Sequence, residues 1–267
     1  MRVALVSLNQ KWLDKPSNQD QCLLYLDIAK SKSCNLVIFP EMTLTSYSMD
    51  IEDIAEPDIN SSTLRFFEKA SADHHAHIIF GAPMSRSNAT NFTNSLCVSS
   101  PEGKAEIVYE KIHPFSHAGE DKFFSAGEHL GFMNFSGMRF GAAICYDLRF
   151  PEIFSAMARK IDAFVVIANW PKKRIDHWYG LLKARAIENQ CYAIGVNRIG
   201  CDGNGIEYEK STVIFDPLGI KLNPIDSDCD IDIYDLDRGL VEKYREEFPT
   251  ITDKRYSFYR NLYKELM

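Results

Sequence analysis

Short apolar segments recur along the whole chain, and polar segments separate them. Several are apolar without interruption, as in the run Phe164–Ala168 (Phe-Val-Val-Ile-Ala). A continuous apolar run indicates a strand that is covered on both faces. The pattern predicts strands at residues 2–8, 35–40, 77–82, 94–99, 105–111, 138–144, 162–168, 191–197, 211–216 and 230–235.

Segments with apolar residues at helical spacing lie between these strands, and His177–Asn189 shows the spacing clearly. Strands that alternate with helices predict an α/β protein whose helices pack on the faces of a sheet. A linker rich in Gly, Ser or Pro is absent from the sequence, so we expect a single domain over residues 1–267. The predicted helices lie near residues 17–32, 62–75, 151–159, 174–189 and 255–266.

Three chemically useful side chains each end an apolar, strand-like segment: Glu41, Lys111 and Cys145. Cys145 is followed by a polar turn and then by Pro151, which can open a helix at its first position. Amide N–H groups and the positive end of a helix dipole favour a thiolate there, and a nearby lysine would favour it further. A carboxylate, an ammonium and a thiol at strand ends indicate one cleft at one sheet edge, which predicts an enzyme.

Each of these residues also has an ordinary structural explanation. Glu41 could be a surface carboxylate at a strand end, but as a general base it would take the thiol proton and return it to a leaving amine. Lys111 could be solvated, but beside a forming oxyanion it would be an electrostatic stabiliser. Most cysteines fill cores, and Cys201 in a Gly-rich loop is a less favoured alternative nucleophile. We assign the core role to Cys22, Cys34, Cys97, Cys191 and Cys229.

The histidines give weaker evidence for a catalytic or metal-binding role than Glu41, Lys111 and Cys145 give for catalysis. A cysteine–histidine pair is the commoner design for thiol hydrolases, but the histidine contexts are less constrained than those of Glu41 and Lys111. The histidines of the segment 73–77 have no cysteine or carboxylate pattern that completes a metal site. We therefore predict no metal and no organic cofactor. The rejected histidine candidates are His113, His117, His129 and His177.

Composition narrows the classes of partner and compartment. The formal net charge of −7 argues against a nucleic acid or an anionic membrane as partner. Apolar runs stay short of the ~20 residues that span a bilayer. Seven cysteines without CxxC pairs do not predict a disulfide framework, so we expect a cytoplasmic protein.

Three motifs appear in order around the candidate residues: Phe39-Pro-Glu41-Met, Tyr109-Glu-Lys111-Ile-His-Pro-Phe and Cys145-Tyr-Asp-Leu-Arg-Phe-Pro-Glu. With these, the chain resembles the nitrilase superfamily of carbon–nitrogen hydrolases over nearly its full length. It is most similar to the omega-amidase branch and its bacterial relatives. Supporting matches lie at residues 166–171, 183–192 and 196–200.

The resemblance implies a four-layer α-β-β-α sandwich that assembles into a homodimer or a higher homo-oligomer. It also implies a catalytic triad of Glu41, Lys111 and Cys145, and Glu120 is the best match for a supporting second glutamate. The implied reaction cleaves a small linear amide to an acid and ammonia through a cysteine thioester. Substrates such as 2-oxoglutaramate or 2-oxosuccinamate follow by analogy. The alternatives are an N-carbamoyl hydrolase, a deaminated-glutathione amidase or a non-catalytic interaction protein of the same fold.

Candidate substrate contacts follow from this mechanism. The backbone N–H of Tyr146 would hold the oxyanion together with Lys111, and Trp170 would form an apolar wall. A substrate carboxylate needs a cationic partner. The candidates for that partner are Arg149, Lys172, Lys173 and Arg174.

Overall fold

The computed structural model describes residues 1–85 and 91–266. Fifteen strands are assigned in this part of the chain. In chain order they are β1 Arg2–Val6, β2 Leu36–Ile38, β3 Glu56–Pro57, β4 His77–Ser85, β5 Phe92–Ser100, β6 Lys104–Glu110, β7 Gly131–Phe135, β8 Met138–Ile144, β9 Ala163–Ala168, β10 Tyr192–Asn197, β11 Gly200–Cys201, β12 Glu207–Tyr208, β13 Val213–Phe215, β14 Asp226–Asp228 and β15 Ile231–Asp235.

Most of these strands form two mixed sheets. The larger sheet has the order β14-β15-β1-β2-β4-β5-β6, and β3 pairs with β4. The smaller has the order β13-β10-β9-β8-β7, and β11 with β12 makes a separate hairpin. The α-helices of the described chain are α1 Lys15–Ser31, α2 Ile51–Ile54, α3 Ser62–His74, α4 Pro151–Met157, α5 Ile175–Asn189, α6 Arg238–Glu247 and α7 Tyr256–Leu266.

The two sheets pack face to face, with helices on the outer face of each. In β1, Val3 and Leu5 face the core between the sheets, whereas Ala4 and Val6 face the helices α1 and α3. The smaller sheet alternates in the same way between the central core and the helices α4 and α5. The central strands of each sheet are therefore buried on both faces, which explains the continuous apolar runs. The predicted α-β-β-α sandwich is confirmed.

The predicted elements match observed ones, but the observed elements β7, α6 and β14 are among those that were not predicted. Each predicted strand and each predicted helix overlaps an observed one. The helix α6 escaped prediction because it is polar and buries only Val241. The strand β14 consists of Asp-Ser-Asp, which carries no apolar signal. Within residues 1–85 and 91–266, no helix combines the length and apolarity that crossing a membrane requires.

Candidate active site

Cys145 lies directly after the last residue of β8 and begins a short 3₁₀ turn, Cys145–Arg149. Its φ angle is 46°, in the left-handed region that costs a non-glycine residue energy. The carboxylate of Asp147 stabilises this turn by accepting the N–H of Ile144 over 3.0 Å and the hydroxyl of Tyr109 over 2.8 Å. The helix α4 then begins with Pro151 in its first turn, as the sequence predicts.

Glu41 follows β2 and is fully buried. Its Oε1 accepts hydrogen bonds from Nδ2 of Asn94 over 2.7 Å and from Nζ of Lys111 over 3.0 Å. Its Oε2 accepts the backbone N–H of Asn169 over 2.8 Å. The backbone of Glu41 lies so close to β4 that a Cβ at Gly81 would come within 2.7 Å of the Glu41 Cα. The glycine therefore makes room for the strand end that carries the carboxylate.

Lys111 follows β6, and its side chain is 1% exposed. Its Nζ lies 2.8 Å from Oε2 of Glu120 and 3.0 Å from Oε1 of Glu41. Burial disfavours the ammonium, but the charges of Glu120 and Glu41 outweigh burial and raise the pKa of Lys111 well above its usual value. Lys111 is therefore a charged, water-excluded ammonium held between two carboxylates.

Glu120 is also fully buried and lies in the loop after Lys111. It accepts the hydroxyl of Tyr47 over 3.0 Å and the backbone N–H of Phe115 over 2.6 Å. Burial alone would raise the pKa of Glu120, but the Lys111 charge and the hydrogen bonds from Asn94, Lys111 and Phe115 lower it overall. The structure thus brings Glu41, Lys111 and Glu120 into one buried cluster.

Sequence reasoning missed three members of this cluster, Asn94, Tyr47 and Asn169, whose backbone N–H donates to Glu41. Nδ2 of Asn94 bridges the two carboxylates, at 2.7 Å from Glu41 Oε1 and 2.9 Å from Glu120 Oε1. Asn94 lies inside the predicted strand 94–99, where the polar run Thr-Asn-Ser was the available signal. Tyr47 lies in the loop after Glu41, and no pattern in the sequence marks it.

The thiol of Cys145 departs from the expectation of a thiolate. Burial raises the pKa of Cys145 well above its usual value, the carboxylate of Glu41 raises it further, and Lys111 offsets only part of this. Lys111 therefore favours the thiolate, as predicted, but burial and the charge of Glu41 outweigh it. Sγ instead lies 3.9 Å from the backbone oxygen of Asn169. A neutral thiol needs a base, and the charge of Glu41 acts directly on it.

A cleft opens above Cys145. Tyr146, Arg149 and Trp170 line it, as do Tyr47 and Asn169 from the cluster beneath. The guanidinium of Arg149 lies 4.8 Å from the centre of the Trp170 ring and 6.0 Å from that of Tyr146. These two rings hold a cation at the wall of the cleft. The remaining lining residues include Phe115, Ala118, Pro171, Arg174, Ile206 and Tyr208.

The four basic candidates for a carboxylate partner separate into two groups. Arg149 and Arg174 line the cleft, and the Arg174 guanidinium lies 5.5 Å from the ring centre of Phe115. Lys172 and Lys173 instead line a different hollow, where Lys172 lies 3.7 Å from a carboxylate oxygen of Glu207. The structure therefore leaves the two arginines as cations of the cleft.

The cysteines and histidines complete the inventory of candidate groups. All seven cysteines are free, and Cys201 is exposed but does not line the cleft. The predicted core role holds for Cys22, Cys34, Cys97 and Cys191, which are buried, but is wrong for Cys229, which is exposed. Nδ1 of His113 lies 2.9 Å from Oδ1 of Asp147, so this imidazole contacts the carboxylate that stabilises the Cys145 turn. Across the described residues, no group of three or more His, Cys, Asp or Glu side chains is arranged to hold a metal ion.

Comparison with known families decides the assignment, because the model of the carbon–nitrogen hydrolase family matches residues 2–246. The chain belongs to the carbon–nitrogen hydrolase family. This carbon–nitrogen hydrolase is 30% identical to omega-amidase YafV of Yersinia enterocolitica, over 95% of this chain and 96% of the relative. It is also 30% identical to 2-oxoglutaramate amidase of Bacillus subtilis, over 92% of this chain and 94% of that protein.

A solved structure agrees with the fold of the hydrolase. XC1258 of Xanthomonas campestris, a CN-hydrolase superfamily protein with an arsenic adduct in its active site, superposes with a TM-score of 0.87. The two sequences are 28% identical, and the match covers 95% of this chain and 97% of the other. Family membership identifies the chain as an enzyme of the nitrilase superfamily, and it is similar to relatives named omega-amidase.

Proposed function

We propose that this hydrolase is an omega-amidase that cleaves the terminal amide of a short 2-oxo acid such as 2-oxoglutaramate or 2-oxosuccinamate. The observation that carries the proposal is the buried cluster of Glu41, Lys111 and Glu120 beside Cys145 at the base of a cleft lined by two arginines. The names of two relatives, omega-amidase and 2-oxoglutaramate amidase, support the substrate class.

In the first half of the reaction, Sγ of Cys145 attacks the amide carbonyl carbon while Glu41 accepts the thiol proton. The resulting oxyanion accepts hydrogen bonds from Nζ of Lys111 and from the backbone N–H of Tyr146. The two Lys111 contacts to Glu120 fall on one carboxylate and can share one N–H, which leaves an N–H for the oxyanion.

In the second half, the tetrahedral intermediate collapses to a thioester, and the C–N bond breaks. Glu41 passes its proton to the departing nitrogen, which leaves as ammonia. Water then attacks the thioester carbon, gives a proton to Glu41, and the C–S bond breaks to release the carboxylic acid. The returning thiolate recovers its proton from Glu41, so the enzyme ends as it began.

Arg149 is the proposed partner of the substrate carboxylate, with Trp170 as the apolar wall. The two rings that flank Arg149 restrict its side chain, which lowers the entropy lost when a carboxylate binds. Replacement by Gln removes a charged hydrogen bond worth about 1.5–3 kcal/mol, so KM for 2-oxoglutaramate should rise about 10- to 100-fold. KM for a neutral amide such as butyramide should not change. An equal rise for both amides would contradict the assignment.

The deciding experiment measures ammonia release from 2-oxoglutaramate by the wild type and by Cys145→Ala. Cys229→Ala is the matched control, because Cys229 is exposed and lies outside the cleft. We expect turnover by the wild type and the control, and none above background by folded Cys145→Ala. Near-normal activity of Cys145→Ala would refute the mechanism.

Comparator substrates in the same assay separate the alternatives. Faster release from a carbamoyl amino acid would indicate an N-carbamoyl hydrolase, and faster release from a peptide-like glutathione analogue would indicate a deaminated-glutathione amidase. Glutamine and a simple nitrile complete the set. If no compound releases ammonia and iodoacetamide alkylates Cys145 at the rate of an ordinary thiol, the result would favour a non-catalytic interaction protein.

We further propose a cytoplasmic enzyme that assembles as a homodimer or a higher homo-oligomer. The free cysteines fit a reducing compartment. Exposed apolar side chains on α7 offer a surface for a second copy, and light scattering coupled to size exclusion measures the assembly. These side chains are Phe258, Tyr259, Leu262 and Tyr263.

A further inference from the structure

Asn169 contacts both the proposed base and the proposed nucleophile. It follows Ala168, the last residue of β9, and its backbone oxygen accepts from Sγ of Cys145 over 3.9 Å. Its backbone N–H donates to Oε2 of Glu41 over 2.8 Å, and its side-chain Nδ2 donates to the backbone oxygen of Glu41 over 2.7 Å. One residue therefore touches both ends of the path along which the proton would move.

The orientation of the Asn169 side chain is defined by its partners. Nδ2 faces the backbone oxygen of Glu41 and lies 3.5 Å from Oε2 of the same residue. Both atoms only accept hydrogen bonds, so the amide nitrogen must point toward Glu41. Oδ1 is buried and has no hydrogen-bond partner in the described part of the chain. The Asn169 side chain therefore leaves one buried acceptor without a hydrogen bond. Such an acceptor is unfavourable, so core packing alone does not explain an asparagine at this position.

The two carboxylate oxygens of Glu41 have different surroundings. Oε1 accepts from Asn94 and Lys111, whereas the hydrogen bonds to Oε2 come from Asn169. Oε2 and the Cys145 thiol therefore contact the N–H and the C=O of one residue. We propose that Asn169 is a positioning residue, whose side-chain amide keeps Oε2 of Glu41 directed at the Cys145 thiol. This inference rests on the proposed role of Glu41 as the base.

The first test compares Asn169→Ala with the control Asn189→Ala. Asn189 is also buried, and its side chain bonds Arg185 and Lys254 at the end of α5, away from the cleft. Misplacing a base lowers the rate of proton transfer, so kcat of Asn169→Ala should fall about 10- to 100-fold while KM stays within about twofold. The control should lose thermal stability but keep kcat.

A second variant, Asn169→Asp, tests the contact through its charge. It replaces the donor by an acceptor and adds a carboxylate beside Glu41, in a cluster that already holds Lys111, Glu120 and the Cys145 thiol. Because the donor to Glu41 is lost, kcat should fall at least as far as in Asn169→Ala while KM stays within about twofold, whereas near-wild-type kcat at equal folded fraction would contradict the positioning role.

Alkylation of Cys145 by iodoacetamide, followed by mass spectrometry of its peptide, tests the inference without a substrate. If Glu41 assists deprotonation, the alkylation rate of Asn169→Ala at neutral pH should fall about 10-fold relative to Asn189→Ala. Failure of the wild type on every amide would refute the proposed function, but this comparison would still decide the role of Asn169. Equal alkylation rates and equal kcat in the two variants, at equal folded fraction, would overturn the inference.

Discussion

Replacement of Lys111 by Met tests how strongly the cluster depends on its ammonium. The Nζ lies 2.8 Å from Glu120 and 3.0 Å from Glu41, and all three side chains are at most 1% exposed. At an effective dielectric constant of about 20, each contact contributes roughly 5–6 kcal/mol of Coulomb attraction. Desolvation offsets much of this attraction. We therefore expect Lys111→Met to lower the free energy of unfolding by about 3–5 kcal/mol near neutral pH.

The pH dependence of that loss follows from the groups whose pKa values are shifted in the folded protein. The pKa of Glu120 is lowered in the wild type, so its contribution is present above the unfolded pKa and is lost as the pH falls through the folded pKa. The pKa of Lys111 is raised, so its contribution is complete near neutral pH and is lost only in strong alkali. In Lys111→Met one buried carboxylate relieves repulsion by taking a proton. The difference between variant and wild type should therefore shrink from about pH 7 to about pH 4.5.

Urea denaturation followed by tryptophan fluorescence measures both the loss of unfolding free energy in Lys111→Met and its dependence on pH. Lys173→Met is the matched control, because Lys173 is exposed and should change stability by less than about 0.5 kcal/mol. A loss below about 1 kcal/mol for Lys111→Met at neutral pH would refute the reasoning, since breaking a buried ion pair costs several times more. A loss that does not shrink on acidification would contradict the assignment of the two carboxylates as its cause.

Two further substitutions test the frame around the cluster. Gly81→Ala should abolish most activity and lower the thermal midpoint, because its Cβ would lie 2.4 Å from the Met42 nitrogen. Gly180→Ala is the control, because its Cβ would meet no atom within 4 Å, and it should stabilise α5 by about 0.5–1 kcal/mol. Equal kcat in the two variants would contradict this. Tyr109→Phe removes the hydrogen bond from the hydroxyl to Asp147 and should lower the free energy of unfolding in urea by about 1 kcal/mol. No measurable change would show that this hydrogen bond does not stabilise the Cys145 turn.

Local patterns in the sequence were sufficient for most of the strands and helices, whereas the stacking of two sheets was implied only by the family resemblance. Continuous apolar runs predicted the buried strands, and helical spacing predicted the helices that cover them, because burial on both faces leaves a direct mark on composition. The same patterns marked Glu41, Lys111 and Cys145, since a polar residue at the end of an apolar run is unusual. Elements without an apolar signal, such as α6 and β14, could not be found in this way.

Contacts between distant segments decided the chemistry of the site. Asn94 lies in β5 of the larger sheet and Asn169 directly follows β9 of the smaller sheet, and the packing of the two sheets brings both residues against Glu41. The raised pKa of the Cys145 thiol likewise depends on burial and on the Glu41 charge, neither of which is visible in the residues next to it. The sequence by itself determined which strand ends carry reactive groups. The tertiary structure alone decided how those groups are desolvated, paired and oriented, because hydrogen-bond geometry and electrostatic energy depend on distances across the fold.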